Sequence, residues 1–147
     1  MIEIQEGLQT SVRPDLKSPL QKDLFPLGKQ YYIIPEIPEI VYKALTNELI
    51  LKLWTGFDAS MREEEGTEFS MWDENISGKN LKFEPNKMIQ QEWYFGEQEQ
   101  QSVVTIKLHP HKKGTSAELI HSNIPAEDFD AMVEGWNNTY FADLIDF

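Results

Sequence analysis

The 147-residue sequence contains no cysteine, and this absence excludes several kinds of site. Without a thiol the chain can form neither a disulfide framework nor a thiolate nucleophile, and a zinc site built on thiolates is excluded as well. Stability must therefore come from the packing of side chains. Hydrophobic residues make up 40% of the chain and aromatic residues 12%, which is enough for one globular core and too apolar for a disordered chain.

The sequence also lacks long apolar runs and is poor in basic residues. No run approaches the ~20 apolar residues of a membrane span, and the N-terminus lacks the basic start and apolar stretch of a signal peptide. We therefore expect a cytoplasmic protein. With 13 basic against 25 acidic residues, the net charge is −12. A field of this sign repels phosphate backbones and anionic lipids, so neither nucleic acid nor a membrane is expected as a partner.

No catalytic motif is recognisable in the sequence. It has no Gly-x-Ser-x-Gly elbow, no Walker motif and no Gly-x-Gly-x-x-Gly. His109 and His111 precede a Lys-Gly turn, which predicts a surface hairpin, and no third ligand stands near them for a metal site. His121 falls in the last predicted strand, where it faces either the interior or solvent. We expect no catalytic residue, no metal and no cofactor.

The first part of the chain differs from the remainder. Residues 1–27 carry Pro14, Pro19 and Pro26 among polar residues, and their apolar residues follow neither the two-residue period of a strand nor the 3.6-residue period of a helix. This predicts a loosely ordered N-terminal extension before a domain that spans residues 28–147. An alternative is that scattered apolar residues of the extension dock on a groove or on another subunit. These residues are Leu8, Leu16, Leu20, Leu24 and Phe25.

Local signals after residue 28 predict one strand and then two short helices. The aromatic and β-branched run from Lys29 to Ile34 suits a strand. Pro38 suits the first turn of a helix that ends near Thr46, and Asn47 and Gly56 can cap the two ends of a second helix. The apolar spacing predicts that each helix buries one face. The residues of these faces are Ile37, Ile40, Val41, Ala44 and Leu45 in the first helix, and Leu49, Ile50, Leu53 and Trp54 in the second.

The second half of the chain predicts a meander of antiparallel strands followed by one long helix. Turn signals recur between Phe57 and Ser122, and the clearest strand pair joins residues 88–95 with residues 103–108. After Pro125 apolar residues repeat at three and four positions up to the chain end, which is typical of an amphipathic helix. Together the elements predict an α+β fold in which a curved antiparallel sheet wraps around a long C-terminal helix.

Five segments are similar, in the same order, to sequences of one known family. They are residues 41–47 with Leu53-Trp54, residues 69–78, residues 83–93, residues 102–108, and residues 123–125 with 134–141. The chain from about residue 29 to residue 147 thus resembles the activator of 90-kDa heat-shock protein ATPase homologue family. This resemblance implies the helix-grip fold of the START-like, or Bet v-like, superfamily (SRPBCC), which often encloses an apolar cavity.

The resemblance implies a non-catalytic domain, a monomer or homodimer, that holds a small hydrophobic or amphipathic molecule between the sheet and the C-terminal helix. The side chains expected to line such a cavity are Trp54, Phe69, Met71, Trp93, His121, Trp136 and Tyr140. They are equally suited to pack as an ordinary core. Two alternatives remain: a stress-related module that acts on a heat-shock ATPase chaperone, and a cyclase or hydrolase of the kind found elsewhere in the superfamily.

Overall fold

The computed structural model describes residues 23–96, 98 and 100–147. A strand and two short helices come first: β1 (Leu24–Ile34), α1 (Pro38–Thr46) and α2 (Glu48–Thr55). Five strands follow: β2 (Glu68–Met71), β3 (Ile76–Glu84), β4 (Met88–Trp93), β5 (Ser102–His111) and β6 (Gly114–Pro125). The C-terminal helix then runs through a 3-10 turn (Ala126–Asp128), α3 (Phe129–Gly135), a π-helical turn (Trp136–Tyr140) and α4 (Phe141–Asp146).

The six strands form one antiparallel sheet in the order β1-β6-β5-β4-β3-β2. The C-terminal helix packs on one face of this sheet. Tyr32 of β1 stacks on Phe141 with ring centroids 4.0 Å apart, and Trp93 of β4 stacks on Trp136 at 4.9 Å. The structure therefore confirms the predicted α+β helix-grip architecture, with two short helices after the first strand.

The first strand is longer than the sequence predicted. It begins at Leu24 rather than Lys29, because Leu24 and Phe25 pair with the end of β6. The register of the pairing shifts on either side of Leu27, and such irregularities accommodate Pro26, which has no N–H to donate to a partner strand. Residues 1–22 lie outside the described residues, so the loosely ordered extension and its docking stay predictions.

The local signals at the ends of α1 and α2 are confirmed. Pro38 is the first helical residue of α1, where its missing N–H costs nothing. The side chain of Asn47 accepts a hydrogen bond of 3.0 Å from the backbone N–H of Ile50 and so caps α2. Gly56 ends α2 with φ of 78°, a left-handed conformation that glycine adopts without steric cost.

The predicted buried faces of these helices were partly wrong. Val41, Ala44 and Leu45 are buried as expected, and so is Trp54. In contrast, Ile37 and Ile40 of the first set and Leu49 and Leu53 of the second are 47–67% exposed. In α2 the buried residues are Leu51 and Thr55 beside Trp54, whose indole N–H donates a hydrogen bond of 2.8 Å to the carbonyl of Ala44 in α1. The inner face of α2 therefore runs through residues 51, 54 and 55 and leaves Leu49 and Leu53 outside.

Close packing between β3 and β4 generates the first prediction. A Cβ atom added to Gly78 would lie 1.8 Å from the backbone oxygen of Glu92 and 2.9 Å from a ring carbon of Phe69. We therefore expect Gly78→Ala to lower the free energy of unfolding by roughly 1–3 kcal/mol, because the strands must move apart. Urea titration monitored by tryptophan fluorescence measures the change.

Gly28→Ala is the matched control for this substitution. Gly28 also lies in a strand, yet an added Cβ there would meet no atom within 4 Å. Its free energy of unfolding should stay within about 0.5 kcal/mol of the original value. Equal losses in the two variants would contradict the strand packing described here.

Candidate functional site

Large aromatic side chains fill much of the space between the sheet and the C-terminal helix. Trp136 contacts Trp93 with ring centroids at 4.9 Å and Tyr140 at 4.7 Å. Tyr140 in turn lies 5.4 Å from Trp54 and 5.6 Å from Trp72. All five rings are at most 8% exposed, so they pack mainly against one another. Such contacts combine large buried areas with favourable ring geometry.

The π-helical turn allows the C-terminal helix to present three adjacent rings to the sheet. The backbone N–H of Phe141 bonds to the carbonyl of Trp136, five residues earlier rather than four. The turn therefore holds one more residue than an α-helical turn, and Trp136, Tyr140 and Phe141 are all buried. Turns of this kind occur frequently at functional sites.

One end of this aromatic packing opens into a cleft of about 250 Å³ between the β2–β3 turn and the C-terminal helix. Three of the seven predicted cavity residues line the cleft: Trp93, Trp136 and Tyr140. The other four lie in the packed core. They are Trp54, Phe69, Met71 and His121. The cleft also includes side chains that the sequence prediction did not select, namely Trp72, Asn75, Ile76, Met132 and Thr139.

Trp72 reaches the cleft because of an unusual backbone turn. Trp72, Asp73 and Glu74 all have positive φ, at 52°, 54° and 72°, a conformation that non-glycine residues rarely adopt. Hydrogen bonds hold the turn in place: the backbone N–H of Asp58 donates 2.9 Å to the Asp73 carboxylate, and the Asp73 N–H donates 3.1 Å to the Asp58 carbonyl. Strand alternation would place Trp72 opposite Met71, and the left-handed turn brings its indole back into the fold.

His121 is held in a buried hydrogen-bonded chain behind the cleft. The Trp136 indole N–H donates 3.0 Å to Nδ1 of His121, while Nε2 lies 2.7 Å from the hydroxyl of Ser102. Because an indole N–H can only donate, Nδ1 must accept, and the ring is neutral with its proton on Nε2. Burial lowers the pKa of His121 to about 3. His121 is therefore not a proton carrier near neutral pH.

A second buried chain fixes Trp93. Its indole N–H donates 3.0 Å to Gln91, whose side-chain amide donates 3.1 Å to Asn80. The Asn80 amide then donates to the backbone of Arg62 and the hydroxyl of Thr67, both at 3.2 Å. Each buried polar group in this series of hydrogen bonds thus has a partner, as is normal for buried polar groups.

Tyr140 differs from the polar groups of the two buried hydrogen-bonded chains. Tyr140 is only 3% exposed as a residue, and its hydroxyl has no hydrogen-bond partner among the described residues. The oxygen is not sealed inside the core, because the fully buried unpaired side-chain atoms of the described residues belong to Gln98 and Gln101. Burial raises the pKa of Tyr140, so the phenol keeps its proton. None of the described cleft residues is a carboxylate, histidine or lysine. The cleft therefore offers aromatic walls and one unpaired hydroxyl, and no acid–base pair.

Metal binding and membrane crossing find no support in the described part of the chain. No three histidine or carboxylate side chains of residues 23–96, 98 and 100–147 come together as a metal site. In the same residues, no helix combines the length and the apolar character that a membrane span needs.

A second apolar feature, here called the helix-pair surface, lies on α1 and α2. Its exposed members are Ile37, Ile40, Leu49 and Leu53. Beside Ile40 a groove of about 380 Å³ runs between the two helices and the end of the C-terminal helix. Ion pairs within each helix, Lys43 with Glu39 and Lys52 with Glu48, add charged groups to the same helices. Leu49 and Leu53 are one helical turn apart on α2, and neighbouring exposed apolar side chains of this kind can mark an interaction site.

Comparisons with known proteins support the resemblance seen in the sequence. A family described as Activator of Hsp90 ATPase homolog 1-like protein matches residues 37–146, a range that contains all five similar segments. The human activator of 90 kDa heat shock protein ATPase homolog 1 is 26% identical over 149 residues, covering 93% of this chain and 44% of the human protein. The Dictyostelium discoideum homologue is 30% identical over 102 residues, covering 67% and 27%. The chain thus spans less than half the length of these relatives.

Solved structures share the fold. An Hsp90 activator from Plasmodium falciparum has a TM-score of 0.73 at 21% identity, covering 82% of this chain and 93% of its own. The Aha1 dimer from Colwellia psychrerythraea, a solution structure, has a TM-score of 0.68 at 24% identity, covering 80% and 92%. At these identities the likeness is evidence for the fold alone.

The buried neutral ring of His121 predicts that stability depends on pH. The pKa is about 6.5 in the unfolded chain and about 3 in the folded one, so the unfolded chain takes up the proton first. The full contribution to stability is present above pH 6.5 and falls by about 1.4 kcal/mol per pH unit as the pH drops toward 3. Urea titrations at several pH values between 7 and about 5 measure this slope.

The variant His121→Asn isolates the effect, because the carboxylates of the chain titrate in both proteins. The amide oxygen of asparagine can still accept from Trp136, but the side chain does not titrate. We expect the difference in unfolding free energy between the two proteins to shrink as the pH falls. His111→Asn, which replaces a more exposed imidazole outside this buried chain, is the matched control for the substitution. Parallel pH profiles of the original protein and His121→Asn would refute the assignment.

Proposed function

The chain belongs to the Activator of Hsp90 ATPase homolog 1-like family, and on this premise we propose that it is a non-catalytic domain that binds an Hsp90-type chaperone through the helix-pair surface. The observation that carries the proposal is the exposure of four large apolar side chains on one pair of helices. The names of the curated relatives support the choice of partner, since these proteins are called activators of the 90 kDa heat shock protein ATPase.

The chemistry of the helix-pair surface suits a protein partner. Leu49 and Leu53 stand one helical turn apart and are 67% and 62% exposed, so they can act as two neighbouring anchors. Burying each side chain against a partner contributes roughly 1.5–3 kcal/mol before the cost of association. The adjacent groove can accept an apolar side chain of the partner, and the two intrahelical ion pairs supply charged groups of the kind found at interface rims.

The test is binding to an Hsp90-type chaperone, measured by calorimetry, together with the turnover of the chaperone's ATPase on mixing. We expect the double variant Leu49→Lys/Leu53→Lys to bind roughly tenfold more weakly or worse, because two charged heads replace two apolar anchors. Its free energy of unfolding should hardly change, since both side chains are largely in solvent.

Tyr94→Lys is the control. Tyr94 is 39% exposed and follows β4, away from α1 and α2 in the chain, so its replacement should leave binding intact. The proposal fails if the original protein neither binds the chaperone nor changes its turnover. It also fails in its choice of surface if the double variant binds as tightly as the original protein.

A second candidate function is the binding of a small hydrophobic or amphipathic molecule in the cleft. The specific observation in its favour is that the Tyr140 hydroxyl has no hydrogen-bond partner among the described residues and stands beside aromatic walls, as a polar group that orients a ligand in an apolar pocket does. The cleft volume of about 250 Å³ lies near the lower end for ligand pockets, which favours a small molecule over a long lipid.

Native mass spectrometry of the purified protein tests this candidate, with the denatured mass as reference. A retained small mass would identify the class of ligand directly. Thermal melting against small aromatic and aliphatic compounds is the second measurement, because a ligand that binds only the folded state raises the melting temperature. A clean mass together with no shift for any compound would remove the candidate.

A further inference from the structure

The β2–β3 turn and the C-terminal segment border the cleft, and all their charged side chains are acidic. The C-terminal segment from residue 126 to residue 147 contains six acidic residues and no lysine or arginine. The β2–β3 turn adds Asp73 and Glu74. Among the described residues, no ion pair involves Asp73, Glu74, Asp130 or Glu134. The field at the mouth of the cleft is therefore negative, in keeping with a net charge of −12.

The aromatic walls of the cleft also favour a positively charged ligand. Trp72, Trp93, Trp136 and Tyr140 all line it, and their centroids are spaced 4.7–6.4 Å apart where they are neighbours. Aromatic faces carry negative π density and attract ammonium groups, and tryptophan does so most strongly. The attraction grows when the site is desolvated. Because these rings cover most of one another and are at most 8% exposed, a ligand in the cleft would displace little more than the water on their cleft-facing parts.

The hydroxyl of Tyr140 supplies the remaining polar contact. The indole N–H groups of Trp93 and Trp136 already donate inward to Gln91 and His121. The Tyr140 oxygen has no partner among the described residues, and it is not one of their fully buried unpaired atoms, so a ligand in the cleft can reach it. It can accept a hydrogen bond from an ammonium N–H, and its own O–H can donate to other ligands, so the choice of charge comes from the acidic elements and the aromatic walls.

We propose that the cleft is a site for small hydrophobic ammonium compounds, with the cationic nitrogen against the indoles and its N–H bonded to Tyr140. This inference rests on the second candidate function, that the cleft takes a small ligand at all. An anion of the same size is repelled by the acidic elements, and a neutral compound gains only the burial of its apolar part.

Three probes that share a 2-phenylethyl group test the proposal: 2-phenylethylammonium, 2-phenylethanol and 3-phenylpropionate. Binding is followed by quenching of tryptophan fluorescence and by calorimetry at low and high salt. We expect the ammonium to bind roughly tenfold more tightly than the alcohol, with partial loss of the difference in high salt, and the carboxylate not to bind. Equal affinity of ammonium and alcohol would overturn the ammonium preference and keep the cleft as a ligand site. Binding by none of the three would overturn both.

Two variants locate the interaction. Tyr140→Phe removes the accepting oxygen and should weaken the binding of 2-phenylethylammonium severalfold. The trimethylated analogue has no N–H, so the same substitution should leave its affinity unchanged. Tyr94→Phe is the matched control outside the cleft and should change neither affinity.

Glu74→Gln removes one charge at the turn and should weaken the ammonium by roughly twofold at low salt. Glu39→Gln on α1 removes an acidic charge away from the cleft lining and should have less effect. Unchanged ammonium binding in both Tyr140→Phe and Glu74→Gln would place the compound elsewhere and overturn the site.

Discussion

The hydrogen bond between the Trp136 indole and His121 ties the C-terminal helix to the sheet, and much of the interior depends on it. Because Trp136 can only donate, it fixes both the tautomer of His121 and the rotation of the helix about its own axis. With that rotation set, Trp136 stacks on Trp93 and Tyr140 reaches Trp72. A polar contact thus specifies how a largely aromatic core is assembled.

The same contact explains where the domain has room for other molecules. The two tryptophans at the centre of the interface satisfy their N–H groups inward, and their rings fill the space that a larger cavity would need. What remains is the cleft at the β2–β3 turn and the uncovered apolar residues of α1 and α2. Both openings arise from how the interior is packed rather than from loops added to the fold.

The sequence predicted the fold well wherever a local signal has one structural meaning. Pro38, Asn47 and Gly56 placed the helix ends correctly, because each serves a specific backbone need. The buried face of α2 was ambiguous, since residues 49, 50, 53 and 54 fit helical spacing as well as residues 51, 54 and 55 do. The packing of α2 against the rest of the domain decides between them, and it includes a bond from Trp54 to Ala44, ten positions earlier, which local spacing does not reveal.

The candidate site was predictable only in part. Aromatic residues of the long helix and of β4 were identified from the sequence, and three of them line the cleft. Trp72 was not among the predicted cavity residues, and three successive left-handed residues reverse the direction of its side chain relative to an extended strand. Asp73-Glu74 is a turn signal in the sequence, but it does not specify this conformation, since of the three residues only the aspartate is a type that often adopts it.

The π-helical turn gives the chain length between Trp136 and Phe141 a structural meaning of its own. A π-helical turn is equivalent to a single residue inserted into an α-helix. Deleting one residue between Trp136 and Phe141 would turn this five-residue turn into a regular α-helical turn, so the helix after it would keep nearly the same direction. Phe141 would still face Tyr32 and Leu144 would stay in the core, whereas the residues inside the turn would shift. Loss of a single residue should therefore be better tolerated here than in a regular α-helical stretch, where it would rotate everything after it by about 100°.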